Sequence, residues 1–189
     1  MAMKYFKKLV GENVYLSPMN AEDAEQYVEW LNDFRVTDGL GGDIFTTLPK
    51  EKEWLEKSLK SEDRQFAIVG VDGDRLLGNC GFNFINARNR YAEIGLFVGD
   101  EENRGKGFGA EAIGLLLDYG FNYLNFHAIA LSAYSFNARA IACYKKAGFK
   151  ESGRRRQKDF VNGKYYDEIL MDILSDEFEG GKIKNINLK

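Results

Sequence analysis

The chain has 189 residues, 44% of them apolar, with a formal net charge of -3. That length suits one compact domain with a substantial core, and the charge excludes a general attraction to nucleic acid or an anionic membrane. No apolar run approaches the roughly 20 residues that cross a bilayer. No signal-peptide pattern is present, so a cytoplasmic location is expected, with Cys80 and Cys143 as reduced core thiols. The single histidine, His127, excludes a histidine-rich metal site and argues against a Ser-His-Asp triad; it reads as the first residue of a strand.

Asn13 to Leu16 alternates as a short strand. Pro18-Met19-Asn20 then opens a helix with Ala24, Tyr27, Val28 and Leu31 on one face and Asn20 as N-cap. Asn32 to Phe45, rich in Gly and Asp, reads as a loop, and a second helix follows from about Pro49, with Trp54, Leu55 and Leu59 apolar. Phe66 to Val71 and Leu76 to Ile85 are strands around the turn Asp72-Gly73-Asp74, and Tyr91 to Val98 extends them into an antiparallel meander. Gly109 to Leu124 is a helix and Ala128 to Tyr134 a strand, which makes a βαβ unit with parallel neighbours. Asn137 begins a last helix, Ala138 to Ala147, with Gly148 as its C′ residue. Arg154 to Val161 and Lys164 to Leu174 form a hairpin turning at Asn162-Gly163. With no repeat or linker, residues 1–178 read as one domain and 179–189 as a polar tail.

Between the meander and the long helix stands Arg104-Gly105-Lys106-Gly107-Phe108-Gly109. Three alternate glycines feeding a helix N-terminus present bare N–H groups, at the positive end of the helix dipole, to an anion. A P-loop reading fails, because five residues separate Gly99 from Gly105-Lys106 and Gly107 stands where Ser or Thr is needed. Gly107, Gly109 and Ala112 fit a dinucleotide fingerprint, but the strand around Ile129 offers no acidic residue for a ribose hydroxyl. By itself the triplet is a phosphate site or a tight turn into a helix. The stretch Asp100-Glu101-Glu102 reads as a solvated loop tip.

Two further positions carry chemistry. Glu93 interrupts an apolar strand and shares the pleat face of Gly95 and Phe97. A carboxylate there is costly to bury unless paired or raised in pKa, so it is a functional group, an edge charge or an ion pair with an arginine. Tyr144 lies on one helix face with Ala140 and Asn137.

The order of elements, the Arg-x-x-Gly-x-Gly loop, the segment Asn-Ala-Arg-Ala-Ile-Ala-Cys-Tyr-Lys-Lys-Ala-Gly-Phe from Asn137 to Phe149 and the Val-Asn-Gly-Lys-Tyr-Tyr-Asp hairpin together resemble the GNAT superfamily of N-acetyltransferases, in particular its RimJ/RimL and spermidine acetyltransferase branch. The resemblance covers nearly the whole chain. It implies an α/β (α+β) GNAT fold: a mixed, mostly antiparallel sheet of about six to seven strands with about four helices, and a V-shaped splay between the fourth and fifth strands. The donor it implies is acetyl-CoA, with no metal. Arg104, Gly105, Lys106, Gly107, Phe108 and Gly109 would hold the pyrophosphate, with charge from Arg104 and Lys106. The strand before the loop would carry a bulge and diverge from its parallel neighbour, so that the pantetheine arm bonds to the backbone of Leu96, Phe97 and Val98 as an added strand would.

The resemblance also assigns roles. Glu93 would be the base, directly or through water, and Tyr144 the general acid for the departing thiolate. Asn137 and Ala140 would line the cofactor groove, Asn137 hydrogen-bonding the pantetheine or an ordered water, and a backbone N–H near Phe97 or Val98 would stabilise the oxyanion. The acceptor would be a primary amine: a polyamine or other small amine, an amino sugar or a protein N-terminus. The first two helices and their loop would wall its site, which brings in Asp33, Asp38 and Asp43. These carboxylates suit a cation, yet Asp and Gly also simply make turns. Arg154, Arg155, Arg156 and Lys158 on a strand point to both faces, which argues against nucleic acid. Because related spermidine enzymes assemble, a homo-oligomer stays open. The alternative is a non-catalytic coenzyme-A-binding sensor or interaction module, against which the presence of Glu93 and Tyr144 weighs.

Overall fold

The computed structural model describes residues 4–40, 44–61 and 64–181. They build one mixed sheet from β1 (Leu9–Val10), β2 (Val14–Pro18), β3 (Arg64–Gly70), β4 (Leu76–Asn86), β5 (Tyr91–Val98), β6 (Ala128–Tyr134), β7 (Lys150–Val161) and β8 (Lys164–Leu174), ordered β1-β2-β3-β4-β5-β6-β8-β7. All neighbours are antiparallel except β5 and β6. The sheet has eight strands where about six to seven were expected, because β1, only two residues long, is too short to show a period.

Among the described residues five α-helices flank the sheet: α1 (Ala24–Leu31), α2 (Phe34–Thr37), α3 (Leu48–Lys60), α4 (Phe108–Asn122) and α5 (Ala138–Lys146). Pleat alternation assigns them to faces. Leu96 packs into the cluster of Val14, Leu16, Ile68, Phe82, Leu116, Ile129 and Met171 beneath α4 and α5, whereas Phe97 packs against Tyr27, Trp30 and Leu55 of α1 and α3. Helix α4 is buried at every position from Ala112 to Phe121 and is the apolar centre of the molecule. Of the apolar residues anticipated on α3, only Leu55 is buried; Trp54 and Leu59 are exposed.

Local signals account for the connections. Asn20 Oδ1 accepts from the Glu22 N–H at 2.9 Å, which starts a short 3-10 turn leading into α1. The loop expected over 32–45 contains α2, capped by Asp33, whose side chain accepts from the Arg35 N–H at 2.9 Å. Asn162 and Gly163 both have positive φ, 47° and 78°, as a two-residue type I′ hairpin requires. Both cysteines are free, Cys80 buried and Cys143 partly so. His127 stands one residue before β6, exposed, its N–H donating to the Arg90 carbonyl at 2.6 Å. Asp43 lies outside the described residues, as does the expected tail from 182 onward.

Candidate active site

The parallel pair β5–β6 has only three rungs, Tyr91 with Ala128, Ala92 with Ile129 and Glu93 with Ala130. Beyond Glu93 the strands part, and the β6-facing edge of Ile94 to Val98 has no strand partner. This is the expected splay, with Leu96, Phe97 and Val98 along one wall. The bulge is not where the resemblance put it. It lies on β4: Phe82 pairs with Ile94 and Phe84 with Glu93, so Asn83 is the extra residue. An added residue in one strand increases local twist, which turns β5 away from β6 at that level. Asn83 leans over Gly95, where a β-carbon would come within 2.4 Å of Nδ2.

At the mouth of the splay the glycine loop turns into α4. Gly105 and Gly107 have φ of 77° and 92°, and no heavy atom lies within 4 Å of where a β-carbon would stand on either. Gly107 is the N-cap of α4, so the N–H groups at the start of the helix open onto this space. Phe108 begins the helix and Gly109 rests against Leu96. The first-turn carboxylate, Glu111, is turned away, accepting from the N–H groups of Glu12 and Asn13. A backbone cradle with open space at two left-handed glycines fits the pyrophosphate of coenzyme A.

Lys106 is exposed on the loop, but Arg104 departs from expectation. Its Nε donates to the Val98 carbonyl at 3.1 Å, Nη2 to Gly99 at 2.7 Å and Nη1 to Arg35 at 2.6 Å. The guanidinium therefore faces back into the protein, with these N–H groups donated to peptide carbonyls and not into the cradle. Burial and, next, the charge of Arg139 hold its pKa below the usual arginine value. Arg139, exposed in the first turn of α5, is a cation near the loop that sequence reasoning overlooked.

Glu93 stands at the vertex of the splay, on the face that Phe97 turns toward α1 and α3. It is exposed, as an edge charge would be, and among the described residues it forms no ion pair with an arginine. Its carboxylate accepts from the Tyr91 hydroxyl at 2.9 Å. Burial, then that hydrogen bond, pushes the Tyr91 phenol up to about 12. Tyr144 projects from α5 on the other side, its ring 6.2 Å from that of Phe149, and burial pushes its phenol up to about 12. It therefore stays protonated at neutral pH. Asn137 is first a cap: its Oδ1 accepts from the Ala140 N–H at 3.1 Å, while Nδ2 lies against Gly39 beyond α2. Ala140 is partly buried beside it.

On the side expected to receive the acceptor, Asp33 is occupied by Arg35, at 2.7 Å, which holds its carboxyl below the usual range. Asp38 is exposed. The acidic stretch is only partly a solvated tip: Asp100 accepts from Trp30 Nε1 at 2.8 Å and from Asn103 Nδ2 at 3.2 Å, whereas Glu101 and Glu102 are exposed. A cavity of about 490 Å³ lies between this stretch and α1–α2, lined by Glu29, Trp30, Asp33, Arg35 and Arg104 among others. The basic cluster is engaged locally, Arg154 with Glu151 and Asp167, and Arg155 and Lys158 with Glu168. Among the described residues no group of three His, Cys, Asp or Glu is placed to hold a metal, and no helix is long and apolar enough to cross a membrane.

Residues 13–150 match the family model of the GNAT acetyltransferase domain. The chain is a GNAT acetyltransferase. This GNAT acetyltransferase is 30% identical over 176 residues to the N-acetyltransferase p20 of Bacillus licheniformis, which spans 91% of this chain and 98% of the relative. It is 27% identical over 168 residues to the spermidine N(1)-acetyltransferase of Escherichia coli K12, covering 89% of each. Among solved structures, the spermidine N-acetyltransferase from Vibrio cholerae in complex with CoA and spermine superposes with a TM-score of 0.80 at 26% identity, over 87% of this GNAT chain and 97% of that one.

Proposed function

We propose that the chain transfers the acetyl group of acetyl-CoA directly to a primary amine, with Glu93 as base and Tyr144 as acid. The observation that carries the reading is the juxtaposition at the splay: three rungs end at Glu93, and the unpaired edge of β5 leads from there to the glycine cradle. When bound, acetyl-CoA supplies an activated thioester. The cradle and the edge of β5 would hold it, and backbone N–H groups near Phe97 and Val98 would face the oxyanion.

Glu93, exposed on the α1–α3 face, is open to a cationic amine and placed to take its proton. The hydrogen bond from Tyr91 orients the carboxylate. Tyr144, on the opposite side of the sheet and protonated at neutral pH, can give its proton to the sulfur as the thioester breaks. Base and acid on opposite faces suit addition of an amine that reaches the thioester carbonyl from one side, with the thiol leaving toward the other.

The relatives named for spermidine and the solved neighbour holding spermine favour a polyamine or another small cationic amine. The test is coenzyme A release with spermidine, spermine, a simple monoamine, an amino sugar and a peptide with a free N-terminus. Faster release with at least one amine, matched by acetylated product, is expected. Coenzyme A binding with no amine-dependent release would replace the enzyme by a binding module.

A further inference from the structure

Arg104 opens the glycine loop yet spends its guanidinium on three carbonyls, those of Val98 and Gly99 at the end of β5 and of Arg35 in α2. Such carbonyls lie where the regular ladder of a strand or the turns of a helix run out, and need donors from elsewhere. A planar fork of N–H groups can serve several at once. Trp30 grips the same place from α1. Its ring lies over Gly99, where a β-carbon would come within 2.1 Å of Cε2, and its N–H donates to Asp100 at 2.8 Å.

We propose that Arg104 is a positioning residue, a clamp that fixes the end of β5 and the mouth of the glycine loop to the α1–α2 corner, and so ties the donor side of the site to the acceptor wall. It is not a ligand of the phosphates; on the loop that role falls to the backbone and to Lys106. The inference rests on the reading of the loop as the coenzyme A site.

Arg104→Lys and Arg104→Gln test it. Lysine keeps the charge but loses the fork, so a clamp fails in both variants, whereas a phosphate ligand is rescued by lysine. In ligand-free protein, amide hydrogen exchange over 34–40 and 96–104 rises about tenfold or more in each variant, the scale of a lost charge-assisted bond. In turnover with acetyl-CoA and spermidine as probe, KM for the amine and KM for acetyl-CoA both rise, and they rise as much in Arg104→Lys as in Arg104→Gln. Unchanged exchange over 34–40 overturns the clamp, as does a rise confined to KM for acetyl-CoA that lysine restores. If Arg104→Gln does not fold, Arg104→Lys decides alone. If the wild type does not use spermidine, the acceptor is another amine and the exchange result alone judges the clamp.

Discussion

Gly107 and Gly163 form a matched pair for testing the cradle. Both lie in the left-handed region, at φ of 92° and 78°, and both have open space where a β-carbon would stand. Alanine at either position carries a similar backbone penalty, about 1–2 kcal/mol, which lowers Tm by a few degrees in a chain of this size. They differ in what the new methyl fills: at Gly163 it projects from a hairpin turn, at Gly107 into the cradle at the start of α4. With coenzyme A at about a hundred times its Kd, the wild type gains about 2.7 kcal/mol, or about 5–10 °C. A methyl that pushes a phosphate off two backbone donors costs close to 3 kcal/mol, about a hundredfold in affinity. At the same ligand concentration Gly107→Ala then gains only about 0.4 kcal/mol, near 1 °C, while Gly163→Ala keeps the full shift. Thermal melts of the three proteins with and without coenzyme A provide the comparison. Equal shifts in both variants would refute the assignment of the cradle.

Tyr144→Phe is expected to keep acetyl-CoA affinity and to slow amine-dependent thiol release by about a hundredfold; unchanged turnover in a stopped-flow or steady-state thiol assay removes the phenol from the mechanism. Because its pKa is raised to about 12, the wild-type rate should show no loss from Tyr144 ionisation below about pH 10. The deficit of Glu93→Gln should shrink as pH rises, because more of the amine is already deprotonated, and a deficit constant with pH would make Glu93 a positioning group. Glu168 is buried, which opposes its charge, but Lys158, Arg155 and Ser132 outweigh burial and hold its carboxyl below the usual range. A depressed folded pKa contributes stability above the unfolded value and loses it as pH falls through the folded one. Glu168→Gln should therefore cost about 2 kcal/mol at neutral pH, with melting temperatures of variant and wild type converging below about pH 4; a gap that persists in acid would contradict the linkage.

What could be read in advance follows from which interactions are local. Gly105 and Gly107 announce themselves because the left-handed conformation of the loop excludes most side chains. Asn162-Gly163 does so for the same reason. The direction of Arg104 is a different matter: it depends on a carbonyl 69 residues earlier in the chain, in a helix of four residues. Nothing local distinguishes a guanidinium facing a phosphate from one facing a peptide. The exposure of Glu93 likewise depends on where α1 and α3 stop, not on its strand. The bulge left no trace in the sequence, where Cys80, Phe82 and Phe84 alternate without a break; only in the structure is Phe82 buried while Phe84, two residues on, is 50% exposed. A slipped alternation of that kind marks an extra residue. Asp33, read as a ligand for a cation or a turn residue, is a helix cap.

The unpartnered side of β5 has a consequence for solubility. Exposed strand edges recruit other chains, and proteins blunt them by shortness, charge or bulges. The outer edges of this sheet use all three: β1 has two residues, and β7 carries Arg154, Arg155, Arg156 and Lys158 around an irregular register. The third edge, Ile94 to Val98, has none of these defences and is largely apolar. It is protected by geometry, because the three rungs close the cleft at one end and β6 bounds it on the side. Pairing there requires a segment that enters between two strands of the same sheet, whereas an open outer edge lets a strand dock from the side.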